Sequence, residues 1–159
     1  MIELPTAFDG FRLGDWAKNP ILGRFMALSM IFYYPLEHFA YVQWKAPETP
    51  LVPNALVPRE KGRLADRASA WSCRFWLLYI VLDTLRAMLA LRDASANGSK
   101  SNSLETRMER MQLIRNMLFT LPAAHWSRID STKPLISEGL RNSLMWIEAM
   151  CSLYQSVQS

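Results

Sequence analysis

The run WSCRFWLLYIVLDTLRAMLAL, residues 71–91, decides the fold class. With the residues just before it, Leu64, Ala68, Trp71, Phe75, Leu78, Leu82, Leu85 and Leu89 fall on one stripe of a 3.6-residue period, so the spacing predicts a helix over 64–92. Trp76, Leu77, Tyr79, Ile80 and Val81 cover the other sides through its middle. A helix apolar all round for two turns is buried in a core or in lipid. At about 1.5 Å per residue, residues 71–91 are long enough to cross a ~30 Å hydrocarbon layer, yet they include Arg74, Asp83 and Arg86. Charges at a span centre cost several kcal/mol each. Asp83 and Arg86, three apart, can neutralise each other on one helix face or against another helix. No segment offers eighteen consecutive apolar residues. Helices lying in the membrane interface, or a bundle only partly immersed, fit the mean hydropathy of -0.01 better than a polytopic channel.

Upstream lies a second aromatic stretch, YYPLEHFAYVQW at 33–44. Asn19-Pro20 supplies a cap and a first-turn proline, so a helix is expected over 19–44. Pro35 is expected to kink or divide it, with PLEH forming a bend. Both aromatic segments place Trp and Tyr beside Arg, Glu and His, which suits a surface apolar in the middle and wet at its margins. Between them, KAPETPLVPNALVP at 45–58 holds Pro47, Pro50, Pro53 and Pro58 and reads as an extended connector. The small polar run DASANGSKSNS at 93–103 reads as a flexible loop.

Beyond that loop an amphipathic helix is expected over 104–121, with Leu104, Met108, Met111, Ile114 or Arg115, and Leu118 on one side and Leu121-Pro122 ending it. A last helix is expected over 135–157. Leu140, Leu144, Ile147, Cys151, Tyr154 and Val157 form its apolar face, with Arg141, Glu148 and Gln155 elsewhere. Near the start, Phe8, Phe11, Leu13 and Trp16 sit among Gly10, Gly14, Asp9 and Asp15, a weak helix. With no hairpin signal and no internal repeat, residues 1–159 are expected to form a single all-α domain, a membrane-associated helical bundle.

The length of 159 residues suffices for one core without disulfide or metal staples. Cys73 and Cys151, each in an apolar run, read as buried thiols in a reducing compartment. The first ten residues, MIELPTAFDG, lack a basic then apolar leader, so no cleaved signal is expected. The net charge of +4 comes from clusters flanking apolar segments: Arg59, Lys61, Arg63 and Arg67, then Arg107, Arg110 and Arg115. Nearby Glu60, Asp66, Glu105 and Glu109 dilute their field, and no zinc-finger or RNA-binding signature accompanies them, so no nucleic-acid partner is expected. Contact of Arg59, Lys61, Arg63 and Arg67 with anionic lipid headgroups explains the placement, and solvated helix faces explain it equally.

Little chemistry of an enzyme is present. His38 and His125 are the two histidines, and Glu37 and His38 point about 100° apart on a helix and make no metal pair. No nucleophile elbow or phosphate loop is found. No catalytic residue, metal or cofactor is expected. The nine methionines read as gap-filling in helix packing.

Tyr33-Tyr34-Pro35-Leu36-Glu37-His38, with Tyr41 and Trp44, then Ser72-Cys73-Arg74-Phe75-Trp76 with Leu78 and Tyr79, resemble the central region of the peroxin-11 family, in its fungal and gamma-type branch. Arg115-Asn116, Leu121-Pro122-Ala123, His125-Trp126 and Leu153-Tyr154-Gln155 extend the resemblance towards the C-terminus, over most of the chain from about Pro20. The stretch before YYPLEH is shorter than in that family, as in an N-terminally shortened member. The resemblance implies a protein of the peroxisomal membrane that elongates it by helix insertion and self-association and so promotes proliferation and fission. Its implied partners are membrane lipids, further copies of itself, a fission adaptor and a dynamin-related GTPase. Tyr34, Pro35, Glu37, His38, Trp44, Trp71, Arg74, Phe75, Trp76 and Tyr79 are expected to serve as packing and interface determinants. The rival expectation is a soluble helical-bundle adaptor whose aromatic stripes form a dry core and whose basic flanks bind an acidic protein. An accessory subunit of a membrane enzyme is a third.

Overall fold

The computed structural model describes residues 4–13, 16–45, 58–96, 104–129 and 134–158. Among them the chain is all helical: α1 (Leu4–Leu13), α2 (Pro20–Lys45), α3 (Pro58–Ala96), α4 (Leu104–Trp126) and α5 (Glu138–Gln158). Each helix packs against the next in sequence, and no other pair comes into close backbone contact among the described residues. Antiparallel pairing follows from the cross-contacts. Phe32 stacks on Phe75 while Trp44 Nε1 donates to Asp66 Oδ1, and Trp76 meets Phe119 while Arg86 meets Glu109.

The Asn19-Pro20 signal is realised in full. Asn19 Oδ1 accepts the backbone N–H groups of Ile21 and Leu22 at 3.0 and 3.4 Å, satisfying two orphan donors of the first turn. Ser137 caps α5 in the same way, its Oγ accepting from the Leu140 N–H at 3.2 Å. This cap explains why α5 begins at Glu138 and not at 135.

Proline proves a weaker punctuation than expected. Pro35 lies inside α2, which continues through Glu37 and His38 to Lys45, so the expected division and PLEH bend are absent from the helix assignment. Pro35 is exposed to solvent. Pro122 lies inside α4, which runs on to Trp126 instead of ending at Leu121. Its side chain is fully buried, so packing outweighs the local cost of a missing N–H. Pro58 opens α3 at the position where a proline fits best, extending that helix beyond the expected 64–92 at both ends. Positions 46–57 of the expected connector and 97–103 of the expected loop lie outside the described residues, while 93–96 are helical. The weak N-terminal pattern forms α1, with Trp16 beyond its end.

The interior is narrow. Eight of the thirteen buried apolar residues described are alanine (Ala7, Ala27, Ala40, Ala65, Ala68, Ala70, Ala87 and Ala123), which lets helix backbones approach closely while burying little apolar area. Larger buried side chains cluster where α1 and α2 meet: Met30 and Tyr34 pack with Ala7, flanked by Trp16, Ile31, Tyr33 and Tyr79. A Cβ on Gly10 would overlap the Trp16 indole, which packs edge-on to Tyr79 at 6.2 Å between ring centroids. The Gly10→Ala variant is therefore expected to displace Trp16 and lose about 1–3 kcal/mol, measured by urea denaturation.

Candidate functional site

On α3 and α5 many large apolar side chains face outward and several polar ones inward. On α3 the expected stripe faces outside for much of its length: Leu64, Trp71, Leu78, Leu85 and Leu89 are exposed, Phe75 and Leu82 half-buried, and only Ala68 is buried. Its deeply buried side chains are Ala65, Ala70, Ser72, Ile80, Asp83 and Ala87. α5 is partly inverted in the same way. Of the expected apolar face Leu140, Ile147, Tyr154 and Val157 are exposed and Leu144 and Cys151 half-buried, whereas Glu148 is buried and Arg141 and Gln155 are half-buried. Trp146 and Val157 are the extremes at 72% and 77% exposure.

What lies inside is a hydrogen-bonded polar network. Asp83, 3% exposed, accepts from Arg86 Nε at 2.7 Å through Oδ1, and from Gln112 Nε2 and Asn116 Nδ2 at 2.8 and 2.9 Å through Oδ2. Arg86 also donates to Glu109 Oε1 at 2.7 Å, joining α3 to α4. Arg115 then joins α4 to α5, donating to Glu148 Oε1 at 2.8 Å and to Gln155 Oε1 at 2.7 Å. Asp83 and Arg86, two of the three α3 charges that stand against a membrane span, are thus paired internally. Arg74 spends its Nε on the Ser127 carbonyl at 3.1 Å and lies over the Trp71 ring. The Asp83–Arg86 pair was legible from its i,i+3 spacing, but Gln112 was not singled out, and Glu109, Arg115, Asn116, Glu148 and Gln155, though named for other reasons, were not joined to it. Their signal is a polar residue every three or four positions on α4, from Glu109 to Asn116, and the polar side of α5 at Glu148 and Gln155, which read from sequence as ordinary wet sides.

The remaining expected determinants divide. Tyr34 is buried, and Phe75, Trp76 and Tyr79 are half-buried in an aromatic seam where Trp76 meets Tyr33, Phe119 and Trp126. Pro35, Glu37, His38, Trp44 and Trp71 are exposed. Glu37 accepts the Tyr33 hydroxyl and His38 Nδ1 bonds the Tyr34 carbonyl at 2.7 Å, so YYPLEH is tied along its own helix. Arg63 and Arg67 are exposed at the start of α3, and the side chains of Arg59 and Lys61 lie outside the described residues.

Burial, helped by the hydrogen bond and charge of Glu37, raises the Tyr33 phenol above its ordinary value. Burial also raises Tyr79, with Asp83 adding to the shift and Arg86 opposing it. Burial raises the Cys73 thiol. For Arg86, burial pulls the guanidinium down, but Glu109 and Asp83 outweigh it and hold the group above its usual range. The folded phenols keep their protons where unfolded ones ionise, near pH 10, so their contribution is complete below about 10 and is lost as pH rises beyond it. Alkaline unfolding is expected above about pH 10, and Tyr79→Phe should flatten the fall by at most about 1.4 kcal/mol per pH unit, read from denaturation midpoints between pH 9 and 12.

Beside the network, a cleft of about 330 Å³ opens between the Trp16–Leu22 segment and helices α3 and α4, with Trp16, Lys18, Arg86, Asp93, Glu105 and Glu109 in its wall. Among the described residues no group of three or more His, Cys, Asp or Glu side chains is placed to hold a metal ion, and no helix is long and apolar enough to cross a membrane. Compared with known proteins, the chain matches no family model, and no curated protein and no solved structure is significantly similar to it.

Proposed function

We propose that this chain is a membrane-shaping protein of the peroxin-11 kind, which associates with the peroxisomal membrane through its outward apolar helix faces and self-associates there. In this reading it promotes membrane elongation ahead of fission and works without catalysis or a cofactor. The observation that carries the membrane part is the inversion of α3 and α5: paired charges inside, Trp71, Val81, Leu85, Trp146, Ile147, Met150 and Leu153 outside. Large contiguous apolar surface on a protein is surface awaiting a partner or a lipid phase. Insertion of such faces expands one leaflet, and the exposed Arg63 and Arg67 suit anionic headgroups. The organelle, the fission adaptor and the dynamin-related GTPase rest on the YYPLEH and SCRFW resemblance.

Two assays test this together: flotation of the purified chain with vesicles containing anionic lipid, and imaging of the tagged, overexpressed chain beside a peroxisomal matrix marker. Flotation with elongated or more numerous peroxisomes supports the proposal. Flotation with unchanged peroxisomes removes the organelle assignment. A monodisperse protein that stays with the aqueous fraction and captures an acidic protein points instead to the soluble adaptor.

A further inference from the structure

Resting on the membrane reading, the geometry points to a one-sided immersion: the outward lanes of α3 and α5 both lie in the lipid hydrocarbon, while the flank carrying α1 and its cleft faces water. The α3 lane begins after Arg67 and ends before Arg92. Every exposed residue between them is uncharged: Trp71, Leu78, Val81, Leu85, Met88 and Leu89. The three charges that the sequence places in this interval, Arg74, Asp83 and Arg86, all bond within the protein. The lane is about 27 Å long at 1.5 Å per residue. On α5 no exposed residue from Gly139 to Val157 is charged; of the two ionic groups in that interval, Glu148 is buried against Arg115, and the half-buried Arg141 lies over Trp126 and pairs at 3.1 Å with the exposed Glu138 at the start of the helix.

The two lanes share one level in the molecule. Through α4, the end of the α3 lane at Arg86 is matched to Glu109, and Arg107 to Tyr154 near the end of α5. At the opposite end Trp76 stacks on Trp126, over which Arg141 lies. Yet α3 and α5 make no close backbone contact with each other. A second copy of the chain docking on one patch would cover one lane and leave the other wet, whereas a continuous apolar phase covers both over a common interval. The α1 flank fits that phase less well than the two lanes. Asp9 and Arg12 are exposed on α1 among Phe8, Phe11 and Leu13, Lys18 is exposed beyond it, and the adjacent cleft holds Asp93, Glu105 and Glu109 in its wall. Ionic groups of this density are costly to move into hydrocarbon and stay in water.

The test uses the full chain with Cys73→Ser and Cys151→Ser, carrying one added cysteine labelled with the fluorophore NBD: Val81→Cys on α3, Met150→Cys on α5, or Asp9→Cys on α1. All three positions are exposed; Leu85→Cys replaces the α3 variant if its helix content falls. On vesicles of phosphatidylcholine and phosphatidylserine, reduction of NBD by dithionite is expected to be at least tenfold slower at 81 and 150 than at 9. Protection of one lane alone means a second copy covers it and overturns the immersion, as does fast reduction at both lanes, or protection at 9, on bound protein. Failure of the chain to float with vesicles removes the membrane reading itself and the immersion with it.

Discussion

Asp83→Ala is expected to be the most destabilising single substitution in α3. The carboxylate is almost wholly enclosed and accepts from three side chains on two helices. Removing it leaves the Asn116 amide without its acceptor, leaves Gln112 only the longer bond to Asn116 Oδ1 at 3.3 Å, and strips Arg86 of one of its two carboxylates. Buried donors left unmet cost about 1–3 kcal/mol each where nothing replaces the bond, and breaking a buried ion pair costs about 3–5 kcal/mol. Because Arg86 keeps Glu109, the lower part of that range applies, about 3 kcal/mol. That lowers Tm by roughly 6–12 °C for a chain of this size. Asp83→Asn should recover little, because its own NH2 would face the donors of Gln112 and Asn116. Calorimetry or circular dichroism on the three proteins checks this, and an Asp83→Ala Tm within about 2 °C of the parent would refute the structural weight given to the network.

The largest functional effect is expected from Val81→Glu combined with Met150→Glu. Both side chains are more than half exposed, so the fold loses little, within about 0.5 kcal/mol per site. In the lipid-bound state each new carboxylate opposes immersion. At about 1.4 kcal/mol for each tenfold change in binding, a modest interfacial penalty of that size per charge weakens vesicle partitioning about a hundredfold. The signature is the dissociation of two readouts: Tm almost unchanged, flotation lost. Equal weakening by Asp9→Lys on the α1 flank would contradict the assignment of faces. Asp83→Ala should show the reverse pattern, a large fall in Tm with partitioning retained wherever the fold persists.

Much of the architecture was legible in the residues. The three- and four-residue recurrence in all the main segments fixed an all-α chain, Asn19-Pro20 marked the start of α2, and the i,i+3 spacing of Asp83 and Arg86 foretold their bond at 2.7 Å. These are local effects: a cap, a period and a one-turn ion pair depend on residues within reach along the chain. The helix ends and prolines were less legible, since Pro35 and Pro122 take positions whose local cost is set against burial contributed by other helices.

Sequence by itself could not say which side of a helix faces inward. A stripe of Leu, Ile and Trp down α5 and a stripe of Arg141, Glu148 and Gln155 beside it are equally periodic, and the usual rule places the first inside. Here tertiary structure decided otherwise, because Arg115 of α4 offers α5 two charge-assisted or polar bonds at 2.7–2.8 Å. The periodicity of a segment is a property of that segment, whereas its inward face is a property of the neighbour that satisfies it. Only the packed arrangement of α3, α4 and α5 contains that neighbour.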